Sequence, residues 1–125
     1  MSMRPSTVST SSLAASDRPE RLTMHKLLVL YPPPTDPAHF ERYYRRVHLP
    51  LAEKLPGAID LRFSLLIDAG GAPSPYFAVF EADFSDAAAM ADAMASPAGQ
   101  AVEADVPNYA TGGAIVLNYP MDSLL

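Results

Sequence analysis

Ile59-Asp60-Leu61-Arg62-Phe63-Ser64-Leu65-Leu66-Ile67-Asp68 is the segment on which the fold turns. Ile59, Leu61, Phe63, Leu65 and Ile67 alternate with Asp60, Arg62, Ser64, Leu66 and Asp68. A period of two sends the two sets to opposite faces of an extended chain, so 59–67 reads as a long strand with one apolar and one largely polar face. Beyond it, Gly70-Gly71, Pro73 and Pro75 form a turn, and Tyr76 to Phe84 reads as the next strand. Tyr76, Ala78, Phe80, Ala82 and Phe84 share one side of it.

Upstream, Lys26 to Tyr31 is a short run with apolar residues on both faces, the mark of a strand covered twice. Pro32-Pro33-Pro34 ends it. Asp36-Pro37 then pairs an N-cap residue with proline at the first helical position. Phe40, Tyr44, Val47 and Leu51 recur at helical spacing, while Glu41, Arg42, Arg45 and Arg46 fill the opposite face. Pro50 lacks an amide donor and clashes with the carbonyl of Arg46, which predicts a kink or restart near His48. Pro56-Gly57 stops the helix.

Downstream, Ser85 is expected to cap a helix over Ala87 to Ala95, and Ser96-Pro97 to open a shorter one to Asp105. Val106-Pro107-Asn108 ends it, and Gly112-Gly113 leads into a last strand, Ala114 to Tyr119. The order is β-α-β-β-α-β with an extra helix, an α+β chain of the ferredoxin-like split βαβ type with an antiparallel four-stranded sheet.

Composition bounds what such a chain does. At 125 residues, 49% apolar and 18% charged, it is one domain able to bury a core. It has no cysteine, which removes disulfides, thiolate metal sites and cysteine catalysis. A net charge of −5 argues against nucleic acid, and no segment is apolar enough to span a membrane. Residues 1–23 differ from the rest: they are rich in Ser and Thr and lack the apolar core of a secretory signal. They are expected to be a flexible tail or to follow a mis-assigned start, with Met24 the true beginning and 24–125 the domain. A cytoplasmic protein is expected.

Strand one carries apolar residues on both faces, and strands one and three are expected to offer them to both sides of the sheet. Helices cover one face. A second copy covers the other most simply, because a two-fold interface reuses one patch, so a homodimer with sheets packed face to face is expected. The alternative is a monomer whose tail covers that face.

Two motifs carry a family resemblance. Phe40-Glu41-Arg42-Tyr43-Tyr44 through Val47-His48-Leu49-Pro50-Leu51-Ala52, followed by Leu55-Pro56-Gly57, resembles the EthD family, named for ethyl tert-butyl ether degradation. Ser96-Pro97-Ala98-Gly99-Gln100-Ala101, then Asp105-Val106-Pro107-Asn108-Tyr109, is similar to that family's second motif. The resemblance runs from Met24 to Tyr119. It implies the dimeric α+β barrel superfamily, home to muconolactone isomerases, cofactor-free monooxygenases, polyketide cyclases and some haem enzymes. It also implies a histidine at position 48, before the proline.

His48 heads the candidate residues. Its imidazole titrates near neutrality and suits a general base or acid, whereas the structural reading has it bonding the carbonyl freed at the kink. Asp105 falls on one helical face with Ala98, Ala101 and Val102; there it either pairs with His48 or caps backbone amides near Asn108. Tyr44 or Tyr43 is expected to hold a substrate oxygen, against plain aromatic packing. Tyr31, Asn108 and Tyr109 are weaker candidates for substrate contact. Arg42, Arg45 and Arg46 either attract an anionic substrate or form a solvated face.

There is no phosphate loop, no nucleophile elbow and no dinucleotide fingerprint. His25, His39 and His48 lack metal-ligand spacing, and only His39 or His48 could hold a haem, so neither cofactor nor metal is expected. The resulting expectation is a small-molecule catabolism protein. Either a His–Asp pair performs cofactor-free proton chemistry (isomerisation, cyclisation, dehydration or oxygenation) on an apolar, aromatic or carbonyl metabolite, or the protein is a non-catalytic carrier serving a neighbouring oxidase. A third reading is a structural dimer whose pocket Met90, Met94 and aromatic side chains fill.

Overall fold

The computed structural model describes residues 23–125, so the expected tail lies, but for Thr23, outside the described residues. Along the chain come β1 (Thr23–Tyr31), α1 (Pro37–Tyr43), a π-helical turn (Tyr44–His48), α2 (Leu49–Ala52), β2 (Asp60–Ser64) and β3 (Ala78–Phe84). Then follow α3 (Ala87–Ala95), α4 (Pro97–Asp105), a 3-10 turn (Val106–Asn108) and β4 (Ile115–Asp122). The strands form one open antiparallel sheet in the order β2-β3-β1-β4, the ferredoxin-like arrangement.

Register assigns the two faces. Leu27 opposes Ala82 and Asn118, and Val29 opposes Phe80 and Val116, so these point to the helices together. Tyr31, Phe40, Tyr44, Phe84 and Tyr109 are fully buried there. Phe40 anchors the cluster edge-on to Tyr31, Phe77 and Tyr109 with centroids 5.0–5.3 Å apart. Burying such a ring contributes about 1.5–3 kcal/mol.

The other face is divided. Met24, Leu28, Leu30, Ile115, Leu117 and Met121 form its apolar half along β1 and β4. On the β2–β3 side, the Lys26 ammonium sits 2.9 Å from Glu81 and 3.0 Å from Asp83, and Arg62 bonds the same two carboxylates at 3.3 and 3.1 Å. Strand three therefore does not offer an apolar second face as expected: Glu81 and Asp83 occupy it beside Val79.

Strand two is shorter than its alternation predicts. The Ser64 hydroxyl accepts from the Leu66 amide and donates to the Leu66 carbonyl, both at 3.1 Å, a local turn that replaces ladder bonds on an edge strand. Leu66 is left 90% exposed. The Ser74 hydroxyl makes the same turn with Tyr76, so β3 starts at Ala78 rather than Tyr76. Asp86, not Ser85, caps α3, its carboxylate accepting from the Ala89 amide at 2.8 Å. Asp36 and Ser96 cap as expected. Ala101 faces solvent, and Gly99 takes the buried position on α4.

Candidate functional site

The break at Pro50 takes the form of a π turn. The Leu49 amide reaches back five residues to the Tyr44 carbonyl, after which α2 starts with proline in its first turn. A residue in this wider turn advances less than the 100° of an α-helix. Val47 thus falls short of the buried stripe and stands 38% exposed, while His48 takes the inward position at 3%. The predicted stripe Phe40, Tyr44, Val47 and Leu51 becomes Phe40, Tyr44 and His48.

His48 meets the end of α4. Its Nδ1 lies 3.0 Å from Oδ2 of Asp105, not against a freed helix carbonyl. Asp105 ends α4, where the negative pole of the helix dipole disfavours a carboxylate, so it needs donors. Tyr43 Oη donates to its Oδ1 at 2.6 Å and Asn108 Nδ2 to the same oxygen at 2.9 Å. Asn108 Nδ2 also donates to Tyr43 Oη at 3.2 Å, and His39 Nε2 donates to the Asn108 carbonyl at 3.2 Å.

These contacts set the charges. Burial pushes the Asp105 carboxyl up, but the bonds from Tyr43, Asn108 and His48 together bring it below the usual carboxylate range. Burial holds the His48 imidazole below its ordinary value, with Asp105 pulling the other way. At neutral pH the pair is a neutral imidazole donating Nδ1–H to an ionised carboxylate. Nε2 then keeps its lone pair, and no described residue bonds it. Tyr44 stacks on the imidazole at 5.5 Å between centroids, and Tyr109 lies 4.6 Å from it.

Beside His48 an apolar cavity of ≈ 70 Å³ lies between sheet and helices. Leu27, Val29 and Phe80 of the sheet, Leu55, Met94 and Val102 form much of its wall. It opens past Glu103 and Val116, both exposed. The pocket is therefore not filled by Met90 and Met94. Of the sequence candidates, His48 and Tyr31 line it, and Tyr31 Oη is committed to Tyr109 Oη at 2.7 Å.

Tyr43, Tyr44, Asn108 and Tyr109, expected to touch substrate or hold its oxygen, stand behind that wall: Tyr43 and Asn108 on Asp105, Tyr44 and Tyr109 against His48. The Tyr44 hydroxyl is buried with no hydrogen-bond partner among the described residues. Arg42, Arg45 and Arg46 line a separate surface depression, not the cavity. Glu103 and the aliphatic wall residues were not singled out as site residues from the sequence. An aliphatic residue signals burial only, and the period of β1 was the one available hint for Leu27 and Val29. Among the described residues there is no cluster of three or more potential metal ligands, and no helix is long and apolar enough to cross a membrane.

A family model for the EthD domain matches residues 32–113. An uncharacterized 11.0 kDa protein from the thcB-thcC intergenic region of Rhodococcus erythropolis is 33% identical over 94 residues, covering 75% of this chain and 91% of that protein. Among solved structures, an ethyl tert-butyl ether degradation (EthD) family protein from Bacillus halodurans superposes with a TM-score of 0.72 at 26% identity, over 77% of this chain and 96% of that one. A dimeric ferredoxin-like protein of unknown function from Bacteroides fragilis gives 0.58 at 13% identity, covering 77% and 94%. SnoaB, a cofactor-independent oxygenase from Streptomyces nogalater, gives 0.52 at 15% identity, covering 83% and 95%.

Proposed function

The chain belongs to the EthD family, and from that premise we propose that it binds a small apolar metabolite beside His48 and takes a proton from it. One observation carries the reading: His48 stands at the wall of an apolar cavity with Nδ1 3.0 Å from Asp105, an arrangement that favours Nδ1–H and leaves Nε2 with a lone pair. The proton moves from an activated carbon or hydroxyl to Nε2. Asp105 then faces an imidazolium, which it stabilises while the substrate anion forms. Return of that proton to another atom completes an isomerisation or cyclisation. Tyr43 and Asn108 act through Asp105 as positioning residues, and Tyr44 holds the imidazole plane. SnoaB, a cofactor-independent oxygenase, carries the same fold, which in that protein supports chemistry without a cofactor.

We also infer that the protein is a homodimer. On the open face Ile115, Leu117 and Met121 are 40%, 45% and 42% exposed, an apolar strip that a second sheet covers by two-fold symmetry. The solved protein from Bacteroides fragilis with this fold is dimeric.

Proton abstraction is tested by deuterium uptake. Cyclopentanone and related ketones are incubated with protein in heavy water, and exchange next to the carbonyl is followed by NMR. Exchange above the buffer rate in wild type, abolished in His48→Gln, supports the proposal. Exchange that ignores His48→Gln contradicts it. Saturable binding with no exchange favours the carrier.

A further inference from the structure

Resting on the proton-acceptor reading above, we propose that the cavity selects its ligand by charge, admitting an uncharged molecule and excluding an anion of the same shape. Among the described residues its wall carries neither lysine nor arginine, and the three arginines of the first helical segment lie at a different surface depression. The charged residue of its described wall is negative, and so is the group behind His48. Glu103 stands at the mouth, and Asp105 lies directly behind His48. The polar atoms on offer accept hydrogen bonds: Nε2 of His48 by its lone pair and the Glu103 carboxylate. Tyr31, the remaining polar residue of the wall, is already paired with Tyr109.

A carboxylate or phosphate entering this space loses its water and gains no cation or free donor from the described wall residues, and it meets the Glu103 charge on the way in. An uncharged ligand loses little and gains apolar contact with Leu27, Val29, Phe80 and Met94. The enclosed volume of ≈ 70 Å³ is about half that of an apolar cavity that holds one benzene ring. The ligand's inner part is therefore small, with the remainder at the mouth between Glu103 and Val116. The lack of a cation among its described wall residues separates this site from one that grips a substrate by its carboxylate. It places the protein among those handling ketones, lactones, ethers or hydroxyl compounds in their neutral forms.

The test compares cyclopentanone with cyclopentanecarboxylate near pH 7.5, following the His48 imidazole signals of the full chain by NMR. Cyclopentanone is expected to perturb His48 saturably at millimolar concentration, and the carboxylate to bind weaker by about a hundredfold or more. A second variant separates charge from shape. Val116 is 60% exposed at the mouth, so Val116→Arg places a cation there without disturbing the core. It is expected to raise the ratio of carboxylate to cyclopentanone affinity at least tenfold. A carboxylate that binds wild type as well as the ketone does overturns the proposal. So does failure of the ketone to perturb His48, or a Val116→Arg protein that still rejects the carboxylate. Selective ketone binding without deuterium uptake would sink the proton-abstraction reading and leave charge selection standing.

Discussion

Nδ1 of His48 and Oδ2 of Asp105 lie 3.0 Å apart, although 57 residues separate them along the chain. Two local devices bring them together. The π turn ahead of Pro50 rotates His48 inward, and Gly99 lets α4 close on α3 so that its last residue reaches the imidazole. Neither device is catalytic, and the pair depends on both.

The carboxylate depends on its outer donors. Tyr43→Phe removes the 2.6 Å bond to Oδ1, and Asn108→Ala removes the 2.9 Å one. Each lifts the Asp105 pKa toward the ordinary range, the tyrosine change more, because its bond is the larger of the two restraints. A carbon-detected NMR titration of the Asp105 carboxyl reads this directly. No movement in Tyr43→Phe would show that the tyrosine merely packs there.

Stability falls in acid for a stated reason. His48 has a lower pKa folded than unfolded, so between the two values the unfolded chain binds more protons and stability rises with pH. Its contribution is whole above about pH 6.5 and disappears as pH falls through the folded value. Asp105, also depressed, adds a second loss below about pH 4. Urea midpoints measured from pH 7.5 to 5 should therefore decline in wild type and flatten in His48→Gln. Equal slopes would exclude His48 as the cause.

Gly99 is a packing position. A Cβ there meets the carbonyl oxygens of Ala93 and Met94 and the Met94 Cα, all backbone. Gly99→Ala must push α4 away from α3, at a cost of about 1–3 kcal/mol. It should also loosen the His48–Asp105 bond and shift the His48 NMR signals. Denaturant unfolding gives the first number; an unchanged midpoint would mean that the helices separate without penalty.

The homodimer is tested on β4. Leu117 is 45% exposed, so Leu117→Lys costs the folded monomer little and places two like charges in a face-to-face interface. Sedimentation should show a dimer in wild type and a monomer in the variant, with unchanged circular dichroism. A wild-type monomer at micromolar concentration contradicts the assembly.

The fold was legible because its signals are local. Alternation in residues 59–64 and 78–84, the caps at Asp36 and Ser96, and the paired prolines and glycines each act within a few residues. What escaped has a physical cause. The π turn depends on which carbonyl an amide chooses, so Val47 reads as core until the wider turn removes it. Strand two continues to Ile67 by pattern, but the Ser64 hydroxyl ends it by satisfying the Leu66 backbone. His48 was readable as a titratable residue at a helix break, and Asp105 as one in line with a buried stripe. The cavity wall was not, because Leu27, Val102 and Met94 look the same whether they fill space or border it.

In the proposed chemistry Asp105 holds His48 with Nδ1 protonated and Nε2 free. Nitrogen-15 NMR of the imidazole, titrated by pH in wild type and in Asp105→Asn, tests it most directly. The Nδ1–H tautomer is expected at pH 7.5, with a His48 pKa below the ordinary value that falls further in Asp105→Asn because a stabilising carboxylate is gone. A proton on Nε2 at pH 7.5, or an ordinary titration that ignores Asp105→Asn, would contradict it.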